Sequence, residues 1–107
     1  MAIRLNYRPE LYLGEGIKGK KLDKIKKNLE NKPLFSGVFL ISISRNPSDQ
    51  LEIYDAKQLS WRYYQKNPPY IVGIADDWQE AVALVTEMVG DCLRVRGDCE
   101  LKEYLRC

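Results

Sequence analysis

The chain has 107 residues, 45% hydrophobic and 30% charged, with a net charge of +2 and no histidine. These are ordinary globular proportions without a dividing linker, so one domain around one core is expected, and a disordered chain is excluded. The missing histidine removes the commonest general base, the Ser/His and Cys/His nucleophile pairs and imidazole metal ligation; an enzyme built here would rely on carboxylate, lysine, tyrosine or thiol.

The longest apolar run is about six residues against the roughly 20 that a membrane-spanning helix requires. The opening MAIRLNYRPE has no apolar stretch suited to a signal peptide, so a cytoplasmic location without membrane contact is expected.

From the N-terminus, Pro9, Gly14, Gly16 and Gly19 mark residues 1–19 as an irregular arm, with room for a short strand only at Leu11 to Leu13. The three glycines satisfy G-x-G-x-x-G, in which bare backbone approaches a pyrophosphate at a helix N-terminus, and Arg45 could serve as partner to a ribose phosphate. Pro9 and its polar neighbours weaken the strand that must precede such a motif, and the chain is too short for a doubly wound dinucleotide domain. A flexible glycine-bearing arm is the preferred account, and no cofactor is expected.

Lys20 to Asn31 carries Leu22, Ile25 and Leu29 at helical spacing, with Pro33 closing the helix. Between Lys18 and Lys32 seven lysines face only Asp23 and Glu30, a local excess of five positive charges. The rest of the chain, with ten basic and thirteen acidic side chains, is net negative. A solvated face accounts for this helix most simply. The alternative is phosphate or nucleic-acid contact by Lys20, Lys21, Lys24 and Lys27 through counterion release.

Ser36 to Ser44 and Leu51 to Tyr54 are extended and rich in apolar and β-branched residues, and the intervening Asn46, Pro47, Ser48 and Asp49 predict an antiparallel hairpin. Asp55 stands three residues before Gln58, a capping-box spacing that starts a helix running to about Lys66, where Asn67, Pro68 and Pro69 end it. On this helix Leu59 and Tyr63 share one side and Trp61 and Tyr64 another, more aromatic surface than one sheet covers. Trp61 and Tyr64 are therefore candidates for a protein interface, or for stacking on bases.

Tyr70 to Ala75 is a short buried-strand sequence, and Asp77 with Glu80 forms a second capping box ahead of a helix from Trp78 to about Arg96. Strand, capped helix and strand from Leu51 to Ala75 predict a βαβ unit with the two strands parallel and paired. The long helix spreads Trp78, Ala81, Val82, Leu84, Val85, Met88, Val89, Cys92 and Leu93 over half its circumference, wider than one sheet face needs. The surplus, near Leu84, Met88 and Val95, is expected to meet the first helix or another subunit. Gly97 ends this helix, and Asp98 caps a last turn through Leu101 to Leu105.

Cys92, Cys99 and Cys107, at spacings that fit no zinc pattern, are expected as reduced thiols, with Cys92 a small core residue. Asp55, Asp76 and Asp77 fall at the ends of strands predicted parallel, where acids can gather Mg²⁺; as Asp55 and Asp77 already serve as helix caps, no metal is expected.

The expected fold is α+β: a small mixed sheet, an antiparallel hairpin plus one parallel strand through the βαβ unit, covered by helices. The expected function is a non-enzymatic interaction domain that forms a homodimer or docks another protein through Trp61, Tyr64, Leu84 and Met88. The alternative is phosphate or nucleic-acid binding by the lysine helix.

Overall fold

The computed structural model describes residues 5–31 and 37–106, so Pro33, Ser36 and Cys107 lie outside the described residues. Elements follow in the order β1 (Asn6–Leu13), α1 (Gly19–Asn31), β2 (Phe39–Ile43), β3 (Leu51–Asp55), a 3-10 helix (Ala56–Ser60), α2 (Arg62–Lys66), β4 (Tyr70–Ala75), α3 (Trp78–Arg96) and α4 (Leu101–Arg106). One four-stranded sheet has the order β1-β4-β2-β3; β4 pairs parallel with β1 and antiparallel with β2, and β2 pairs antiparallel with β3. The small mixed α+β fold expected from the sequence is therefore present.

Strand position follows composition. In β2 and β4 almost every residue is buried, as central strands covered on both faces must be, whereas β3 (LEIYD) is mostly half-buried and lies at an edge. Leu40, Tyr54, Ile71 and Ile74 face α1 and the 3-10 helix, meeting Ile25, Leu29 and Leu59. Ile41, Ile43, Val72 and Ala75 face the other way, toward Ala81, Leu84, Met88 and Cys92 of α3 and Leu101 and Leu105 of α4. Two cores thus sandwich the sheet.

Three expectations need correction. The arm at residues 1–19 contains an eight-residue edge strand, β1, rather than a short one at Leu11 to Leu13. Pro9 does not prevent the strand because β1 pairs on one side only and is bulged: Tyr7 lies opposite Ile71 and Tyr12 opposite Gly73, which leaves Arg8 to Leu11 against Val72 alone. The second correction concerns β3 and β4, which run in the same direction but do not pair, because β2 lies between them; the parallel neighbour of β4 is β1. The connection through α2 steps over one strand.

Third, the helix expected from Asp55 to Lys66 is broken. Asp55 accepts from the Lys57 N–H at 2.9 Å rather than from Gln58, the turn is 3-10, and Trp61 is extended at φ −71° and ψ 142° before α2 begins. In a continuous α-helix Leu59 and Tyr64 would point about 140° apart. The break lets Leu59 bury completely while Tyr64 stacks on Tyr54 with ring centroids 5.1 Å apart. The cap of α3 is as expected: Asp77 accepts from the Glu80 N–H at 2.8 Å, while Glu80 accepts from the Asp76 N–H at 2.8 Å, and Gly97 closes the helix at φ +79°.

Candidate functional site

α3 lies across β4, β2 and β1. Its inward arc holds Ala81, Leu84, Met88 and Cys92, all buried. Leu84 and Met88, expected at an interface, are therefore core residues: Met88 has no exposed surface, and its Cε stands where a Cβ on Gly73 would come within 3.1 Å. Periodicity shows that the apolar arc is wider than one sheet face needs, but only the packing against the sheet decides which part of it turns outward.

The surplus lies on the flank next to that arc. Trp78, Val82 and Leu93 are exposed, at 52%, 42% and 46%, and Val85 and Val89 are half-buried between them. The charged side chains within Trp78–Leu93 are Glu80, Glu87 and Asp91, and all three lie toward β1. Glu80 folds back on Asp76, Asp91 accepts from Tyr12 of β1 at 2.6 Å, and Glu87 lines a cleft with Arg8 and Tyr12. On the opposite flank no charge interrupts Trp78, Gln79, Val82, Ala83, Val85, Thr86, Val89, Gly90 and Leu93. Phe39 of β2 meets Trp78 edge-on with centroids 6.3 Å apart, and Leu51 and Ile53 of the edge strand β3 extend the apolar surface half-buried. The sequence signal that marks this flank is the placement of those three acids, together with Ala83 and Gly90, small residues on an exposed face.

The other interface candidates lie across the sheet. Trp61 is 58% exposed and Tyr63 53%, but Tyr64 is held between Tyr54 and Tyr63, whose ring it meets edge-on. On α1, Lys20, Lys21, Lys24 and Lys27 are all exposed; Lys21 pairs with Asp76 at 3.6 Å, and the neighbouring Lys26 sits 4.8 Å from the Tyr7 ring.

No protein-family model, curated protein or solved structure matches this chain. Function has to be sought in the surfaces and side-chain chemistry that the fold creates.

The densest polar cluster joins β1 to the C-terminal helices. The β1 bulge turns Arg8 inward, where it is 9% exposed, donates from Nε to the Leu105 carbonyl at 3.2 Å and lies 5.6 and 5.4 Å from the rings of Tyr12 and Tyr104. The Tyr12 hydroxyl donates to Asp91, so the Tyr104 hydroxyl, 3.0 Å away, donates to Tyr12. Burial and the bond to Asp91 push the Tyr12 phenol pKa far up, while the same bond holds the Asp91 carboxyl below its ordinary range, with help from Arg94 at 2.9 Å. A phenol kept protonated is no general base, and an aspartate already bonded to a tyrosine and an arginine has little basicity left. The cluster is an anchor.

The glycine arm does not form a phosphate cradle. A Cβ on Gly14 would lie 1.6 Å from Glu80 Oε1, and one on Gly16 would lie 3.6 Å from Asp76 Oδ2, so carboxylates occupy the space beside the loop. Asp55 and Asp77 are caps and Asp76 pairs with Lys21, and among the described residues no group of three or more His, Cys, Asp or Glu side chains is placed to hold a metal ion. Cys92 is buried, its thiol donating to the Asp98 carbonyl at 3.2 Å, and Cys99 is an exposed free thiol. No helix among the described residues is long and apolar enough to cross a membrane.

Proposed function

We propose that this chain is a non-enzymatic interaction domain that pairs with a second copy of itself through the charge-free flank of α3. The observation that carries this reading is the exposure of Trp78, Val82 and Leu93 along one uncharged helix face of about 22 Å. A second copy is the fitting occupant because the flank is centred near Thr86, so an antiparallel mate brings Val82 of one copy toward Gly90 of the other. Gly90 has nothing within 4 Å of the position a Cβ would take, which leaves room for a close approach. Two-fold pairing uses one self-complementary surface twice and closes the assembly. The free edge of β3 and its half-buried Leu51 and Ile53 border the flank and can extend the contact.

Light scattering over a concentration series tests this. A dimer in the micromolar range is expected, dissociating at least about tenfold more readily in Val82→Glu, which puts a charge on an exposed position and leaves the monomer folded. Trp61→Ser, on the other face of the sheet, should not change the mass. A strictly monomeric protein at about 100 μM would overturn the reading, and a dimer sensitive to Trp61→Ser but not to Val82→Glu would move the interface to α2.

A further inference from the structure

At the end of the sheet where β2 finishes and β1 and β4 begin, a cleft of about 580 Å³ opens between the β2–β3 turn and α4. Three cations converge on it from separate parts of the chain: Arg45 from the turn, and Lys102 and Arg106 one helical turn apart on α4. None of the described residues lining the cleft is acidic, and none of the three cations has an acidic partner within ion-pair distance among the described residues.

Two of the cations are held in place. Arg45 donates from Nη2 to the Pro68 carbonyl at 3.2 Å and Lys102 donates from Nζ to the Asn46 carbonyl at 3.1 Å. Each contact uses one donor, so the other guanidinium and ammonium hydrogens remain free to donate into the cleft. Like charges one helical turn apart repel, and a third cation lining the same cleft adds to that cost. The dipole of so short a helix offsets it only for Arg106, at its C-terminal end. An anion seated among the three removes the repulsion. Beside the cations the lining includes Pro47, Pro68 and the half-buried Tyr70 ring, which offer apolar surface, together with Asn6 and Ser44. A volume of this size lies in the range that accepts a small organic molecule, unlike the convex lysine face of α1.

We propose that this cleft binds a small phosphate ester, its phosphate held by Arg45, Lys102 and Arg106 and its organic part lying on Pro47, Pro68 and Tyr70. Arginine and lysine are the side chains suited to a phosphate, arginine by bidentate donation and lysine as a point charge.

The test titrates the full chain at low salt with inorganic phosphate, phenyl phosphate, adenosine monophosphate and adenosine, following thermal shift and amide chemical shifts. Phenyl phosphate or adenosine monophosphate should bind more tightly than inorganic phosphate, and adenosine should not bind. Arg45→Gln and the pair Lys102→Gln with Arg106→Gln should each weaken binding at least about tenfold. Arg45 and Arg106 are exposed and Lys102 is half-buried, and none of the three belongs to either core, so circular dichroism should be unchanged. Lys20→Gln, Lys24→Gln and Lys27→Gln together should leave it intact. The proposal fails if no phosphorylated probe binds by about 10 mM, if the α1 variant loses binding as much as the cleft variants do, or if only a single-stranded oligonucleotide binds. Dimerisation through α3 is read separately by mass, so failure of either proposal leaves the other standing.

Discussion

Tyr7 is a case where a buried polar atom finds nothing to bond among the described residues. Its hydroxyl has no hydrogen-bond partner there, and burial raises its pKa, as it does for Tyr54 and Tyr64. A phenol whose pKa is raised by folding favours the native state below its unfolded pKa of 10.0, and that contribution is lost as the pH climbs from there toward the folded value. Denaturant midpoints should therefore fall steeply above about pH 10. Tyr7→Phe should be neutral or stabilising at pH 7, because it removes an unpaired buried hydroxyl, and should flatten part of the alkaline decline. A loss of more than about 1 kcal/mol at pH 7 would mean the hydroxyl has a partner after all. Asp91 works in the opposite direction. Its pKa is depressed, so its contribution is present above the unfolded value and disappears as the pH falls through the folded one, and Tyr12→Phe should reduce that acid sensitivity. The caps follow simpler rules. Asp77→Ala should cost about 1 kcal/mol in chemical denaturation through the lost bond to Glu80 N–H, and Asp55→Ala less, since it serves only one 3-10 turn.

At the scale of elements, the two bulges in β1 and β4 meet at Val72 and Gly73 and decide how α3 seats. In β4, Ile41 lies opposite Gly73 and Ser42 opposite Ile71, so Val72 is an extra residue, and the bare Gly73 admits Ile41 Cδ1 and Met88 Cε. A Cβ there would come within 3.0 Å of Ile41 Cδ1 and 3.2 Å of the Tyr12 carbonyl. The carbonyl is backbone and cannot swing aside, so Gly73→Ala should destabilise by about 1–3 kcal/mol in thermal or denaturant unfolding. Gly90 is the contrast, a glycine inside α3 with open space around it. Gly90→Leu should raise monomer stability by about 0.5–1 kcal/mol through helix propensity while weakening self-association. A variant that is both more stable and as dimeric as the parent would show that no helix approaches there.

Across the whole molecule, charge and apolar surface are segregated. The lysines of α1 lie on one face of the sheet and the uncharged flank of α3 on the other. If α1 contacts nucleic acid, affinity must drop between low and physiological salt, and replacing Lys20, Lys24 and Lys27 by Gln should flatten the slope. A band-shift titration without retardation at low salt would leave that face as a solvated surface. The dimer proposed through α3 would leave α1 exposed, so the two behaviours can be measured independently in one preparation.

The α+β class, the hairpin, the Asp77 cap and the span of α3 were legible in the sequence because each rests on local rules: alternation, turn chemistry, capping spacing and helical period act over a few residues. What the tertiary structure decided was who neighbours whom. β1 was unreadable because its bulged, Pro9-containing sequence makes a strand only when β4 is there to pair with it. The insertion of β2 between β3 and β4 depends on long-range competition for the buried centre of the sheet. Which part of the wide apolar arc of α3 turned outward was likewise set by how the helix packs on β4, β2 and β1, which buries Leu84 and Met88 and leaves Trp78, Val82 and Leu93 in solvent. Arg45 stands more than fifty residues before Lys102 and Arg106 in the chain. No local pattern links them, and only the packing of α4 against the end of the sheet makes them one cleft.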